Sequence, residues 1–409
     1  MTRDRVVLVG GGIGGLAAAL GLARKGVRSV VLEKTPELSE IGAGIQLGPN
    51  AFHACDYLGI GEAVRKRAVY IDDLRLMDAV TGSEITRIPL NDAFRVRFGN
   101  PYAVVHRGEL YKVLLKACRA HASIELRPRA AVRGYDQDAN SVTAILENGK
   151  RVAGTALIGA DGLWSRIRQQ LAGDGPPRVS GHTTYRSMIP AERMPENLRW
   201  NAATLWAGPK CHIVHYPLSR AKAFNLVATC HNAASSPMAG KPVSHDEVCR
   251  GFEHVASVAR RILDCGRDWK LWVLCDRDPI LDWVDGRVAL LGDAAHPMLQ
   301  YFAQGACMAM EDAVCLAAEL GETPGEVSRA LTAYQDRRRL RTARVQLQSR
   351  EIGRHVYHPD GAHAALRNAL MQAKIPDDWY DQIDWLYGST GLEGAISAET
   401  RDIGNGRNR

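Results

Sequence analysis

The nine cysteines, scattered from Cys55 to Cys315, include no C-x-x-C pair. This excludes a disulfide framework and a thiolate zinc site, and it points to reduced thiols in the cytoplasm. There is no internal repeat and no low-complexity tract, which sets aside solenoid and disordered classes. A serine-nucleophile elbow is missing. His212 and His215 have only Cys211 beside them at ligand spacing, so no metal is expected. The uncharged run from Val6 to Ala23 is broken by glycines and bounded by Arg5 and Arg24, a poor match to a membrane span or signal sequence. Neither is expected.

What is present suits an enzyme with a large core. At 409 residues the chain exceeds one ordinary domain, and 46% apolar against 24% charged residues permits sizeable burial. The formal charge of +7 owes much to Arg337, Arg338, Arg339, Arg341, Arg344 and Arg350. Those arginines share a helical pattern with Leu331, Tyr334, Leu340 and Val345, and no aromatic stacking surface accompanies them. A solvated or subunit-facing helix is therefore expected, with a homodimer as the assembly and no nucleic-acid partner. The positive field also favours anionic small molecules.

Three glycine-marked signals carry the chemistry. In the first, Val6 to Val9 reads as a buried strand, Gly10-Gly11-Gly12-Ile13-Gly14-Gly15 as a tight turn, and Leu16, Ala19, Leu20 and Ala23 as a helix. Gly10 permits the turn, Gly12 lets the backbone approach a diphosphate, and Gly15 lets helix pack on strand. Val30 to Leu32 then ends at Glu33, spaced to accept the hydroxyls of an adenosine ribose. The second signal is Asp161-Gly162, closing the run Thr155 to Ala160. The third is Gly292-Asp293-Ala294-Ala295-His296 after Val288 to Leu291, followed by Ala303-Gln304-Gly305-Ala306 opening a helix. A helix start there suits negative charge on a reduced ring system. Together the three signals read as a site for FAD.

These motifs, with His106-Arg107 before Leu110, resemble the class A flavoprotein aromatic hydroxylases, a group with salicylate, p-hydroxybenzoate and 3-hydroxybenzoate hydroxylases among its members. The resemblance covers nearly the whole chain. It implies an α/β fold, with a discontinuous Rossmann-like FAD domain of the p-hydroxybenzoate hydroxylase type and an inserted β-sheet substrate domain. Carried over by motif, Gly12, Gly14, Gly15, Glu33, Lys34, Asp161 and Asp293 would bind FAD, with Arg107 at its diphosphate or ribityl chain. The loop Gly42-Ala43-Gly44-Ile45-Gln46 would lie beside the flavin ring, as would Pro297, Gly305 and Ala306. No second glycine box lies between Asp161 and Asp293, which fits the family habit of using NADH or NADPH as a transient co-substrate alongside O2.

Two further segments are similar to the 3-hydroxybenzoate 6-hydroxylase subgroup: Gly208-Pro209-Lys210-Cys211-His212 with Tyr216-Pro217-Leu218, and Asp293 to Tyr301. In salicylate-type relatives a proline usually stands at the place of Gln300. The subgroup likeness implies para-hydroxylation of 3-hydroxybenzoate to 2,5-dihydroxybenzoate (gentisate) through a flavin C4a-hydroperoxide. His212 and Gln300 would be catalytic, with His212 withdrawing the phenol proton and Gln300 holding the same oxygen, while Tyr216 would bind substrate. On pattern alone His212 reads more readily as a structural sheet residue, and it is the resemblance that brings it forward as the base. Alternation along that strand puts His212, Val214 and Tyr216 on one face and His215 on the other.

The expected division gives residues 1–73, 100–177 and 276–345 to the FAD domain, 74–99 and 178–275 to the substrate domain, and 346–409 to a helical tail. Two alternatives stay open. One is a related flavin hydroxylase for salicylate or a hydroxylated pyridine carboxylate, and the other a non-hydroxylating flavin reductase or regulatory protein.

Overall fold

The computed structural model describes residues 5–38, 43–323, 325–388, 390 and 392. Gly42 of the expected flavin-side loop and residues 393–409 of the expected tail lie outside them. The run Val6–Val9 is buried at all four positions, as an unbroken apolar strand must be when a parallel sheet is covered on both faces. It stands centrally in a six-stranded sheet, ordered Val284–Asp285, Val288–Leu290, Ala156–Gly159, Val6–Val9, Ser29–Leu32 and Ile124–Arg127. All pairings are parallel except that of the first, short strand. Helix Ile13–Arg24 leaves the central strand and packs against helix Gly305–Glu322. The two approach so closely that a methyl on Gly21 would lie 3.0 Å from the Ala317 methyl. The antiparallel strands Val132–Gln137, Val142–Leu146 and Arg151–Gly154 add Val132, Ala144 and Val152 to the same core.

A second, eight-stranded sheet takes strands from two distant stretches. Its order is Ala239–Pro242, Lys270–Asp276, Arg178–Pro190, Ala223–Ala234, Cys211–Leu218, Ala202–Gly208, Asp73–Asp78 and Glu84–Pro89. The alternation read from sequence at His212, Val214 and Tyr216 lies inside one of these strands, Cys211–Leu218. Period-two alternation divides its faces. Trp206, Ile213, Leu226 and Ala228 point into a core shared with helix Ser257–Cys265, while His212, Val214, Tyr216 and Val227 border a cavity on the other side.

The arginine-rich helix, Val327–Ile352, differs from expectation. Arg338 is only 1% exposed: its Nε donates to Asp312 Oδ1 at 2.8 Å and its Nη1 to Glu311 Oε2 at 2.7 Å. Arg341 adds two further bonds to Glu311. Arg350 reaches Asp276 and Asp278, and Arg344 lies 3.8 Å from the Trp385 ring centre. Arg338 and Arg341 turn inward because the adjacent carboxylates Glu311 and Asp312 on Gly305–Glu322 are buried and need partners. The surrounding charges hold Asp312 down at about 2 despite its burial. This helix also runs through residue 345, where a domain edge was expected. It passes into a π-turn at Gly353–Tyr357, and Gly361–Gln372 and Pro376–Tyr387 complete the described helices.

Candidate active site

The carboxyl ends of Val6–Val9, Ala156–Gly159 and Val288–Leu290 stand side by side, so the three glycine signals meet along one edge of the parallel sheet. Ligands gather at this edge in open α/β sheets. Gly12, Gly14, Gly162, Gly292 and Asp293 line one wall of a cavity of about 410 Å3, and His212, Tyr216, Arg186 and Gln300 stand among its other lining residues.

The turn is shaped for a close ligand. Gly10 has φ +107, and a methyl on Gly15 would sit 2.0 Å from the Gly10 carbonyl oxygen, so both positions demand glycine. At Gly12 a methyl would meet nothing within 4 Å: the room there is open, and the backbone faces it. Two helices, Ile13–Arg24 and Gly305–Glu322, begin at the cavity. Neither carries a side-chain cap or an acidic residue in its first turn. Their unpaired N–H groups and positive ends suit an anionic guest.

The expected cofactor residues occupy different shells. Glu33 is held by Gly11 N–H at 2.7 Å and Thr35 N–H at 2.9 Å, just past the strand end. Lys34 beside it is exposed. Asp161 turns to its own chain: Ser165 Oγ donates at 2.6 Å and Arg166 N–H at 2.8 Å, so the carboxylate caps helix Arg166–Ala172. Burial nevertheless pushes its pKa upward. Arg107 lines the cavity at the start of Arg107–Arg119, and its N–H donates to the Ala43 carbonyl. Gly44 and Gln46 line the cavity too, on the short strand Gly44–Leu47, with Tyr102 OH donating to Gln46 Oε1 at 2.6 Å. Gly44 N–H donates to Asn225 Oδ1, and a methyl there would collide with the Tyr216 ring at 2.5 Å. Gly305 and Ala306 lie on the wall, whereas Pro297 is buried behind it with its carbonyl accepting from Gln346.

His212 is 1% exposed, and its Nδ1 pairs with His358 Nε2 at 2.7 Å, leaving Nε2 for the cavity. Burial, reinforced by His358 and His182, lowers its pKa and favours the neutral ring. His215, one face away, packs against Trp200, Trp206 and Phe224 with neither ring nitrogen bonded among the described residues, and burial lowers it to about 3. Tyr216 is buried beside the cavity, and burial raises its phenol.

Gln300 is fully engaged by the protein. Its Nε2 donates to Thr184 Oγ1 at 3.0 Å and Thr229 Oγ1 at 3.2 Å, while its Oε1 accepts from Arg186 Nη2 at 2.8 Å. Arg186 was not singled out from the sequence. It lines the cavity, its Nε is buried and unpartnered among the described residues, and burial, with Arg107 as a like charge, lowers its pKa. His358 and Tyr357 were missed as well; the π-turn after the long helix brings them to the site. A second, more apolar cavity of about 630 Å3 adjoins the first through Gln46, Val214, Ala303 and Tyr357. No described helix is long and apolar enough to cross a membrane.

The FAD binding domain family profile matches residues 3–349. The 3-hydroxybenzoate 6-hydroxylase 1 of Aquipseudomonas alcaligenes is 56% identical, over 96% of this chain and 99% of that protein. The 3-hydroxybenzoate 6-hydroxylase of Polaromonas naphthalenivorans is 48% identical, over 94% of this chain and 95% of that one. Among solved structures, Klebsiella pneumoniae HpxO complexed with FAD and uric acid matches with a TM-score of 0.82 at 25% identity, over 93% and 95% of the two chains. A salicylate hydroxylase substrate complex matches with a TM-score of 0.81 at 26% identity, over 96% and 97%. The chain belongs to the FAD-binding-domain family of class A flavoprotein hydroxylases.

Proposed function

We propose that this flavoprotein para-hydroxylates 3-hydroxybenzoate to 2,5-dihydroxybenzoate, using NAD(P)H and O2. The observation that carries the reading is one cavity holding two uncapped helix starts, a neutral histidine and an enclosed cation, in a chain 56% identical to a 3-hydroxybenzoate 6-hydroxylase. FAD fits the residues present. The open cradle at Gly12 and the first turn of Ile13–Arg24 would hold the diphosphate, Glu33 the ribose, and the start of Gly305–Glu322 the flavin ring. Arg107 and Asp293 border the stretch between them. Bound FAD, reduced by NAD(P)H and then meeting O2, supplies the electrophilic oxygen atom.

The protein's own side chains prepare the substrate. His212 Nε2 accepts the phenol proton, which raises electron density at the ortho and para carbons; para to the hydroxyl of 3-hydroxybenzoate is carbon 6. Arg186 draws in the substrate carboxylate, and Gln300, clamped by Thr184 and Thr229, holds the Arg186 guanidinium in place. Tyr216 offers its hydroxyl from the same strand face. The nine free thiols support residence in the cytoplasm. Leu340 and Leu347, seven residues apart on helix Val327–Ile352, are 69% and 48% exposed, an apolar stripe that supports a homodimer.

Incubating the holoenzyme with NADH, air and each hydroxybenzoate isomer, then identifying products by chromatography, tests the reading. Gentisate from the 3-isomer is expected. Turnover of salicylate or a hydroxypyridine carboxylate in its place, or NADH oxidation indifferent to any aromatic acid, overturns it.

A further inference from the structure

His212 is one half of a histidine pair. Its partner, His358, comes from 146 residues further along the chain and approaches to 2.7 Å, Nδ1 to Nε2. The approach depends on the π-turn at Gly353–Tyr357. A methyl at Gly353 would lie 2.5 Å from the Tyr301 ring, so glycine lets this turn close on Tyr301 and set Tyr357 and His358 beside His212. Single π-turns of this kind recur at functional sites. Exposure rises along the series: His212 is buried, His358 and His182 are partly exposed, and His231 is exposed. The rings of His358 and His182 stand 5.0 Å apart, and those of His182 and His231 4.8 Å.

We propose that His358 relays the substrate proton, carrying it from His212 towards solvent and returning it once the ring has been hydroxylated. The inference rests on the reading that His212 faces the phenol of a hydroxybenzoate. Geometry fixes the proton positions. If His212 Nε2 is to accept from the phenol, the neutral ring must carry its hydrogen on Nδ1 and donate it to His358 Nε2; His358 then bears its own hydrogen on Nδ1. As the phenol O–H bond breaks and His212 Nε2–H forms, the His212 Nδ1 hydrogen passes to His358 Nε2, and the His358 Nδ1 hydrogen passes to water. Both rings end neutral with their hydrogens exchanged between nitrogens, and one proton has left. When the hydroxylated ring regains aromaticity, the hydrogen on carbon 6 leaves as a proton to water and the ring oxygen takes the Nε2 hydrogen of His212; every transfer between the imidazoles then runs backwards, and the starting tautomers return.

The groups around His358 fit transit better than storage. Tyr301 and Tyr357 pack on the pair with phenols raised by burial, the Tyr301 hydroxyl is hydrogen-bonded to His182 Nδ1, and His231 and Arg178 flank His182. Burial, with His182 and His231 as like charges, holds His358 at about 3, and burial with His231 and Arg178 holds His182 at about 4. A proton arriving at either imidazole therefore moves on.

The test separates relay from simple support of the His212 ring. His358→Gln keeps an oxygen to accept the His212 Nδ1 hydrogen but transfers no proton, while His358→Ala removes both roles. With FAD-loaded wild type and variants, anaerobic mixing with 3-hydroxybenzoate in weakly buffered solution containing a pH indicator reads proton release directly. Wild type should release one proton rapidly. The glutamine variant should bind the ligand with similar affinity yet release the proton at least about tenfold more slowly. Added imidazole should restore the rate in the alanine variant by occupying the vacated space. Release by the glutamine variant at the wild-type rate overturns the relay, as does an alanine variant that imidazole leaves slow. Failure of wild type to make gentisate would instead overturn the functional reading beneath it.

Discussion

Arg186 offers the sharpest check on how the pocket selects an acid. Among the described residues its guanidinium bonds to a neutral amide, Gln300, and has no carboxylate partner, while Arg107 adds a second positive charge nearby. A cation in that setting has lost hydration without receiving a counterion, and an arriving carboxylate supplies one. A charge-assisted hydrogen bond contributes about 1.5–3 kcal/mol, so Arg186→Met should raise the Kd for 3-hydroxybenzoate roughly 13- to 160-fold. The uncharged analogue 3-hydroxybenzyl alcohol should bind wild type and variant alike, and Arg186→Lys should fall between them because it keeps the charge without the fork. Perturbation of the flavin absorption spectrum on titration reads each Kd, with flavin content as the folding control. Tight binding of 3-hydroxybenzoate to the methionine variant, or equal weakening for the alcohol, would refute the assignment.

Other substitutions probe other links. Gln300→Glu should place a fixed anion on Arg186 and depress acid binding more than Gln300→Leu does, while the leucine variant, by freeing Arg186, should lower gentisate formed per NADH consumed; full coupling in both would show the amide to be dispensable. His215 is neutral in the fold at about 3 and titrates near 6.5 when unfolded, so the unfolded chain takes its proton first and stability falls as pH drops from 6.5 towards 3, by up to about 1.4 kcal/mol per unit. His215→Phe should flatten the urea midpoint against pH over that window, and an unchanged slope would count against it. Arg338→Met leaves Glu311 and Asp312 short of a buried partner and should cost about 3–5 kcal/mol in urea unfolding; a near-neutral result would mean that Arg341 and His296 suffice. Gly15→Ala sets a methyl 2.0 Å from a backbone oxygen that cannot step aside, so purified protein should lose most of its flavin, and a normal flavin-to-protein ratio would falsify the turn geometry.

Local signals reached far into this fold. The apolar run at Val6–Val9, the glycines after it and Glu33 at the end of the next strand could be read because each is fixed by its immediate neighbours. Alternation likewise separated His212, Val214 and Tyr216 from His215, since a strand's faces follow from its own pleat. Arg186 and His358 were illegible for the opposite reason. Arg186 sits between Tyr185 and Ser187 in a strand without a motif, and its importance comes from Gln300, 114 residues away. His358 depends on a π-turn, which leaves no hydrophobic period. The arginine run was misjudged because its main counterions, Glu311 and Asp312, lie on another helix; two adjacent carboxylates within an apolar stretch of that helix were the overlooked sign that buried cations must come to meet them.

The Val327–Ile352 helix behaves as a single girder. Near its middle Arg338 is bolted to the helix that begins at the cavity, and its far end continues into the turn that brings Tyr357 to the cavity and His358 to His212. One continuous helix therefore ties the two places together. A chain cut before Gly353 would keep the Arg338 ion pairs yet lose Tyr357 and His358 from the cavity side.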